Sequence, residues 1–113
     1  MKLVRLIALA EADIAEAFRW YQAKEPGLGL KFMEHVDEMI EKIADNPFGH
    51  PKVIEDVRRA NLQHFPYALW YRVARDGSIV MACLHGKRSP RLAEKRALRV
   101  FRSLGERQES EPS

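Results

Sequence analysis

The sequence predicts an α+β fold in which an antiparallel helical hairpin packs on a small, mostly antiparallel sheet. Two amphipathic segments with helical spacing lie near the N-terminus and are separated by a short Pro-Gly turn. Three β-type segments follow in succession, and a final segment again has helical spacing. With one N-terminal strand before the hairpin, the predicted order is strand, helix, helix, three strands, helix. A chain of 113 residues is long enough for one such domain without metal or disulfide support.

The N-terminal elements follow from hydrophobic periodicity. Lys2–Ala8 alternates and is rich in Leu, Val and Ile, which predicts a first strand. Glu11–Lys24 and Leu30–Asp45 each carry one apolar stripe at helical spacing. Pro26-Gly27 ends the first helix, and Asn46-Pro47 ends the second. The stripes are Ile14, Ala17, Phe18 and Tyr21 in the first helix and Phe32, Val36, Met39, Ile40 and Ile43 in the second.

The predicted strands lie in the second half of the chain. Val57–Gln63 is followed by Pro66, which lacks an N–H and belongs at a strand entry or an edge. Tyr67–Ala74 and Ile79–His85 are joined by Arg75-Asp-Gly77, a hairpin turn. Ile79–His85 is an unalternating apolar run, as expected for a strand covered on both faces at the centre of a sheet.

The last helix has recognisable end signals. Ser89 suits the N-cap, Pro90 the first helical position and Gly105 the position after the last turn. These signals predict a helix over Arg91–Leu104, docked on the sheet through its apolar residues. Those residues are Leu98, Phe101 and Leu104. A single domain over residues 1–105 is therefore expected, with 106–113 as a disordered polar tail.

Composition limits the class of protein and its location. The net charge is +3, but the two halves of the chain differ in charge. Residues 1–56 carry 7 Lys/Arg and 11 Asp/Glu, whereas residues 57–113 carry 12 Lys/Arg and 5 Asp/Glu. A basic half favours nucleic acid or an acidic protein partner, although the same cations also serve merely to solvate a helix and a sheet edge. One cysteine fits a reducing compartment, and no stretch approaches the roughly 20 apolar residues that span a bilayer. We expect a cytoplasmic protein without a membrane segment.

Few residues suggest chemistry directly. The four histidines match no zinc spacing, and glycine-rich phosphate loops are missing from the sequence, so we expect no metal and no cofactor. Cys83 lies in the apolar strand, which favours a buried structural thiol over a nucleophile. His85 has the right chemistry for an acid or base near neutral pH, but with no identifiable partner a structural role at the strand end is favoured.

Arginine is the more informative residue type. Arg58 and Arg59 are adjacent in a strand and so point to opposite faces, while Arg72 and Arg88 accompany later strands. Their guanidinium groups suit phosphate or carboxylate ligands. The alternative is ion pairing with the acidic face of the second helix. Core packing is the leading explanation for the aromatic pair Trp70-Tyr71, and the alternative is that one of the two, which point to opposite faces, meets something other than the core. The acidic face consists of Glu34, Asp37, Glu38 and Glu41.

The order of these motifs resembles the RelE/ParE superfamily of type II toxins, most closely its ParE-like branch. The resemblance covers about residues 3–98, and its parts are specific together rather than singly. The matching residues are Ala-Asp-Ile-Ala-Glu-Ala (12–17), Trp20-Tyr21, Pro26-Gly-Leu-Gly29, Phe32, Ile43, Asn46-Pro47, Pro51, Arg58-Arg59, Leu62, Phe65-Pro-Tyr67, Tyr71-Arg72-Val73 and Leu84-His-Gly-Lys-Arg88. This superfamily has the strand, helical hairpin and sheet layout predicted above.

The resemblance implies a partner. Similar toxins are neutralised by a co-expressed antitoxin whose C-terminal segment folds on binding and covers a large surface, which implies a toxin–antitoxin hetero-oligomer and a role such as plasmid stabilisation. An acidic antitoxin segment would suit the basic half of this chain. We assign antitoxin binding to four residues of the predicted sheet. They are Arg58, Arg59, Trp70 and Arg72.

The resemblance leaves two targets open. ParE-like members inhibit DNA gyrase and are not enzymes, whereas RelE-like members cut mRNA in the ribosome. The nuclease pattern has an arginine where Ala68 stands and a tyrosine where Glu94 stands, so only Arg88 of that pattern is retained. Loss of two charge-stabilising groups favours the gyrase inhibitor. For a nuclease, the candidate catalytic residues are Arg59, Arg72, His85 and Arg88.

The C-terminal segment is the candidate target surface. Residues 87–102 contain seven basic residues and one acid, Glu94, and the resemblance attributes part of the toxic surface to this end of the chain. We expect four of the cations to contact the target. They are Arg88, Arg91, Lys95 and Arg99. A third possibility is a homologue that binds an antitoxin but has lost toxicity.

Overall fold

The structure is a computed structural model that describes residues 3–88 and 90–104, with the backbone alone from residue 100 onward. It confirms the α+β class. The elements are β1 (Leu3–Leu6), α1 (Ala8–Lys24), α2 (Leu28–Asp45), β2 (Lys52–Ile54), β3 (Val57–Asn61), β4 (Tyr67–Ala74), β5 (Gly77–His85) and α3 (Pro90–Leu104). None of the helices in the described part of the chain is long and apolar enough to cross a bilayer.

All five strands form one mixed sheet in the order β1-β5-β4-β3-β2. β1 runs parallel to β5, and the other three pairings are antiparallel, so the mostly antiparallel sheet is confirmed. β5 lies between β1 and β4, and its residues from Ser78 to Leu84 are all buried. Coverage on both faces is the reason that β5 lacks polar alternation.

Several boundaries differ from the sequence prediction. α1 begins at Ala8, because Ile7 leaves the sheet after donating its N–H to the Val80 carbonyl, 3.1 Å away. The sequence prediction also missed β2, a three-residue edge strand whose pattern is too short to alternate visibly. The predictions for Lys2, Ser89, Gly105 and the tail lie outside the described residues.

The sheet carries a hydrophobic cluster on each face. The hairpin face is covered by α1 and α2, whose predicted stripes are buried except for half-buried Phe18 and Ile40. The opposite face, here called the α3 face, is covered by α3. Trp70 and Tyr71 point to opposite faces, as predicted, but both are buried. Core packing, the leading prediction for this pair, is therefore confirmed, and the alternative that one of them leaves the core is wrong because α3 covers the face that Trp70 occupies.

The contact that docks α3 also differs from the prediction. Leu98 was expected to face the sheet, but it is 58% exposed. The buried residues are instead Ala93 and Ala97, which are four positions apart and so share one face of the helix. Partly buried Leu92 packs beside them against the same cluster. The side chains of Phe101 and Leu104 lie outside the described part.

Candidate functional site

A tight turn after β5 fixes the position of Arg88. The Gly86 N–H donates to the Pro66 carbonyl at 2.7 Å, which ties the turn to the entry of β4. The Arg88 N–H donates to the His85 carbonyl at 2.9 Å, and the Lys87 N–H donates to Nδ1 of His85 at 3.2 Å. Backbone hydrogen bonds thus hold the turn while its charged side chains remain exposed.

A groove of about 440 Å³ lies between α1 and the end of β5. Trp20 stands at its rim, 54% exposed, with the Lys24 ammonium 4.8 Å from the ring centroid. The rings of Tyr67 and His85 lie 5.4 Å apart, edge to face. We call this the α1–β5 groove. Its polar and aromatic lining residues are Asp13, Glu16, Trp20, Tyr21, Tyr67, His85 and Arg88.

Burial raises the pKa of the phenol and thiol groups that line the groove. It raises the pKa of Tyr21 and of Tyr67, and the nearby Cys83 adds to both rises. Burial, reinforced by the Asp13 carboxylate, raises the pKa of the Cys83 thiol to about 12. A thiol with so high a pKa is protonated at neutral pH and is a poor nucleophile. The structural role predicted for Cys83 is consistent with this environment.

The four predicted target contacts share one exposed surface. Arg88 lies in the turn before α3, and Arg91, Lys95 and Arg99 follow at helical spacing. All four are exposed, so α3 presents a line of cations on the side away from the sheet. We call this line the cationic face. Arg96 is not part of it, because its side chain turns inward.

The four predicted antitoxin contacts lie mostly inside the isolated chain. Arg58 is buried on the hairpin face, where Nη1 donates to the His50 carbonyl at 2.6 Å and to the Phe48 carbonyl at 3.3 Å. Trp70 and Arg72 are buried on the α3 face, and Arg72 Nε lies 3.5 Å from the Asp56 carboxylate.

Arg59 is the accessible member of this set. It is half-exposed and stacks over Trp70, with its guanidinium carbon 5.6 Å from the ring centroid. Arg59 Nε and Trp70 Nε1 are buried without a hydrogen-bond acceptor within the described part of the protein.

The four residues proposed for nuclease chemistry do not form one site. Arg59 lies opposite Trp70 in the neighbouring strand, and Arg72 lies opposite Ile79. Because Trp70 and Ile79 belong to the hydrophobic cluster under α3, both arginines lie on the α3 face. His85 lies opposite Tyr67, whose ring packs on the hairpin face, and Arg88 lines the α1–β5 groove. The sheet therefore separates the two pairs. Residue spacing alone did not reveal this separation, because it depends on strand register.

Two residues that the sequence analysis did not single out tie three elements together. Asp13 on α1 accepts the Cys83 N–H of β5 at 3.0 Å and pairs with Arg96 on α3 at 2.5 Å. Both side chains are largely buried. The sequence held one signal for Arg96. It does not fit the spacing of the exposed cations at positions 88, 91, 95 and 99, which indicates that its side chain points in another direction. Asp13 lies beyond the first turn of α1, so a role at the start of the helix does not explain it.

The titratable residues do not gather into an obvious metal centre. Within the described residues, no group of three or more His, Cys, Asp or Glu side chains is arranged to hold a metal ion. The one close histidine pair, His35 and His64, has ring centroids 5.2 Å apart. The surfaces that stand out are therefore the α1–β5 groove and the cationic face.

Comparison with known proteins identifies the family. The family model described as the ParE toxin of the type II toxin–antitoxin system, parDE, matches residues 4–90. The chain belongs to this ParE toxin family, the toxin component of type II toxin–antitoxin systems. No curated protein matches the sequence.

The fold is similar to a solved chain of the chromosomal ParDE TA system from P. aeruginosa. The TM-score is 0.68 at 19% identity, over 75% of this chain and 96% of that chain. At this level of identity the likeness concerns the fold alone. It agrees with the strand, hairpin and sheet arrangement that the sequence predicted.

Proposed function

We propose that this ParE-family protein inhibits DNA gyrase without being an enzyme itself, and that a cognate antitoxin neutralises it. The observation that carries the proposal is the cationic face, a line of four exposed basic residues on α3 and the turn before it. Such a line suits docking on an acidic surface of a protein or nucleoprotein target. The α1–β5 groove adjoins it through Arg88, which extends the candidate target surface onto α1.

The separation of the nuclease candidates supports a non-enzymatic mechanism. Stabilising a phosphoryl transition state needs several charged groups converging on one point. Arg59 and Arg72 face one side of the sheet, and His85 and Arg88 face the other. Ala68 and Glu94 also occupy positions at which the nuclease pattern has an arginine and a tyrosine. Ribosome-dependent mRNA cleavage remains the alternative that the experiment below must distinguish.

The antitoxin is proposed to bind the basic half of the chain, with Arg59 as the first accessible contact of the assigned set. Arg58, Trp70 and Arg72 are buried, so they would contribute by holding the surface that the antitoxin covers. An acidic segment that folds on binding would supply acceptors for the guanidinium of Arg59. Antitoxin binding to an Arg59→Gln variant is expected to weaken, and binding unchanged from wild type would argue against this placement.

The decisive experiment is inducible expression without antitoxin, with DNA and protein synthesis followed by pulse labelling. The gyrase proposal expects DNA synthesis to stop first and the purified protein to inhibit supercoiling by gyrase. An Arg91→Gln/Lys95→Gln/Arg99→Gln variant is expected to lose most of this effect while keeping its fold. Protein synthesis stopping first would indicate the ribosome instead, and normal growth would indicate a non-toxic antitoxin-binding homologue.

A further inference from the structure

β5 is longer than its neighbour β1, so the second half of β5 is not paired with β1. β1 pairs with β5 only from Gly77 to Val80, and the Ile7 N–H closes this pairing on the Val80 carbonyl. Between Met81 and His85, β5 has no partner strand on that side in the described part of the sheet. An edge of this kind leaves backbone N–H and C=O groups that need partners.

Asp13 and Arg96 occupy this edge. The Cys83 N–H donates to Oδ2 of Asp13 at 3.0 Å, and Nη1 of Arg96 donates to the Met81 carbonyl at 3.2 Å. The two side chains also pair with each other through Nη1 to Oδ2 at 2.5 Å and Nη2 to Oδ1 at 3.3 Å. Together they supply one acceptor and one donor to β5, as a neighbouring strand would.

This pair also gives α3 a directional contact with the rest of the fold. The fully buried side chains on the described part of α3 are Ala93 and Ala97, partly buried Leu92 packs beside them, and Leu98 is exposed. Two alanine methyl groups and one partly buried leucine bury little area, so apolar packing alone holds the rotation and sliding of the helix weakly. A two-point guanidinium–carboxylate contact imposes a defined geometry. The side chains of this pair are only 14% and 15% exposed, which shields the contact from solvent.

We infer that Asp13 and Arg96 are positioning residues that fix the orientation of α3 and thereby turn the cationic face outward. Arg96 projects toward β5, while its neighbour Lys95 and the following Arg99 are exposed. A rotation of α3 would move these cations relative to Arg88 and the α1–β5 groove. The inference rests on the proposed function only in one respect, the identity of the target that the cationic face contacts. The anchoring of α3 can be tested whether or not the proposed function is correct.

The test is amide hydrogen exchange on the full chain, comparing Arg96→Met, Asp13→Asn and the double variant with wild type. Asp13→Asn keeps an oxygen for the Cys83 N–H, and Arg96→Met keeps the aliphatic stem. Both single variants are expected to exchange α3 amides at least about tenfold faster, because loss of one member leaves the other charge buried and uncompensated. Exchange of β4 amides is expected to change far less.

The double variant tests whether the two residues act as a unit. If they do, α3 in the double variant exchanges no faster than in the single variants. Arg5→Gln is the matched control, because it removes an ion pair of 3.6 Å with Asp76 in which both side chains are more than half exposed. Unchanged α3 exchange in both single variants, or an equal effect of Arg5→Gln on α3, would overturn the inference.

Toxicity gives the second readout. Arg96→Met is expected to lower gyrase inhibition as much as a cationic-face variant does, although Arg96 is not itself on that face, and Arg96→Lys is expected to restore part of it. Faster α3 exchange with full inhibition would refute the positioning role. If the wild-type protein does not inhibit gyrase, the proposed function fails, while the exchange measurement still decides whether the pair anchors α3.

Discussion

Cys83 illustrates how the fold controls the chemistry of a single residue. Its side chain lies in the hydrophobic cluster of the hairpin face, and its backbone N–H is held by the Asp13 carboxylate. Burial first, and then the nearby negative charge, raise the pKa of the thiol from 9.0 to about 12. The thiol is therefore neutral in the folded protein at any physiological pH, and its ionisation is coupled to unfolding.

We predict that Cys83 makes the protein less stable in alkali. The pKa of the thiol is raised only in the folded state, so the unfolded chain loses the thiol proton at a lower pH than the folded protein does. The contribution of Cys83 to the free energy of unfolding is therefore fully present below pH 9 and is lost as the pH rises toward 12. The loss approaches about 1.4 kcal/mol per pH unit in this window. Urea unfolding at pH 8 to 11 should show a shallower decline for Cys83→Ala than for wild type. Parallel declines would mean that the thiol does not titrate with unfolding.

At the scale of an element, the β4–β5 hairpin depends on the glycine that begins β5. Gly77 has φ +148°, and a Cβ at this position would collide with the carbonyl oxygen of Leu3 on β1. The close approach of β1 is what begins the parallel pairing, with Leu3 opposite Gly77. The sequence identified this glycine as a turn residue, but its second role in strand packing depends on β1.

We predict that Gly77→Ala destabilises the protein by about 2 kcal/mol or more, because it combines an unfavourable φ with a backbone clash. Gly86→Ala is the matched control. A Cβ there would lie 3.6 Å from the Pro66 carbonyl, an ordinary contact, and Gly86 has no positive φ. Urea unfolding compares the two variants. Equal midpoints would show that β1 shifts without cost to accommodate the methyl group.

At the scale of the whole molecule, charge is unevenly distributed between the two halves of the chain. The carboxylates of the acidic face of α2 are exposed, and the cationic face lies on α3 and the turn before it. The molecule therefore has an acidic and a basic surface despite a net charge of only +3. Such a distribution orients the protein during its approach to a charged partner.

We predict that gyrase inhibition depends strongly on salt. Screening shortens the Debye length from about 10 Å at 0.1 M to about 3 Å at 1 M, which removes long-range attraction between exposed charges. The concentration needed for half-inhibition should rise steeply between about 0.05 and about 0.5 M salt, because the Debye length shortens severalfold over this range. Replacing Arg91, Lys95 and Arg99 by glutamine should flatten this dependence. A salt response identical to that of wild type would exclude the cationic face as the contact.

Local pattern was sufficient for most of the fold and for the cationic face. Periodicity and the Pro-Gly turn identified the helical hairpin, and an unalternating apolar run identified β5. Arg91, Lys95 and Arg99 recur at helical spacing and so share one face of α3, with Arg88 in the turn before it. These features repeat within a few residues, and helical or strand geometry converts such repeats directly into faces.

Only the tertiary structure decided which polar residues are inside. It buried Arg58, Trp70 and Arg72, separated the nuclease candidates onto two faces and paired Asp13 with Arg96. Asp13 and Arg96 are 83 positions apart in the chain, and their meeting depends on where β1 ends and how α3 crosses the sheet. Periodicity reports the face on which a side chain lies. The partner that the side chain finds there is set by long-range packing.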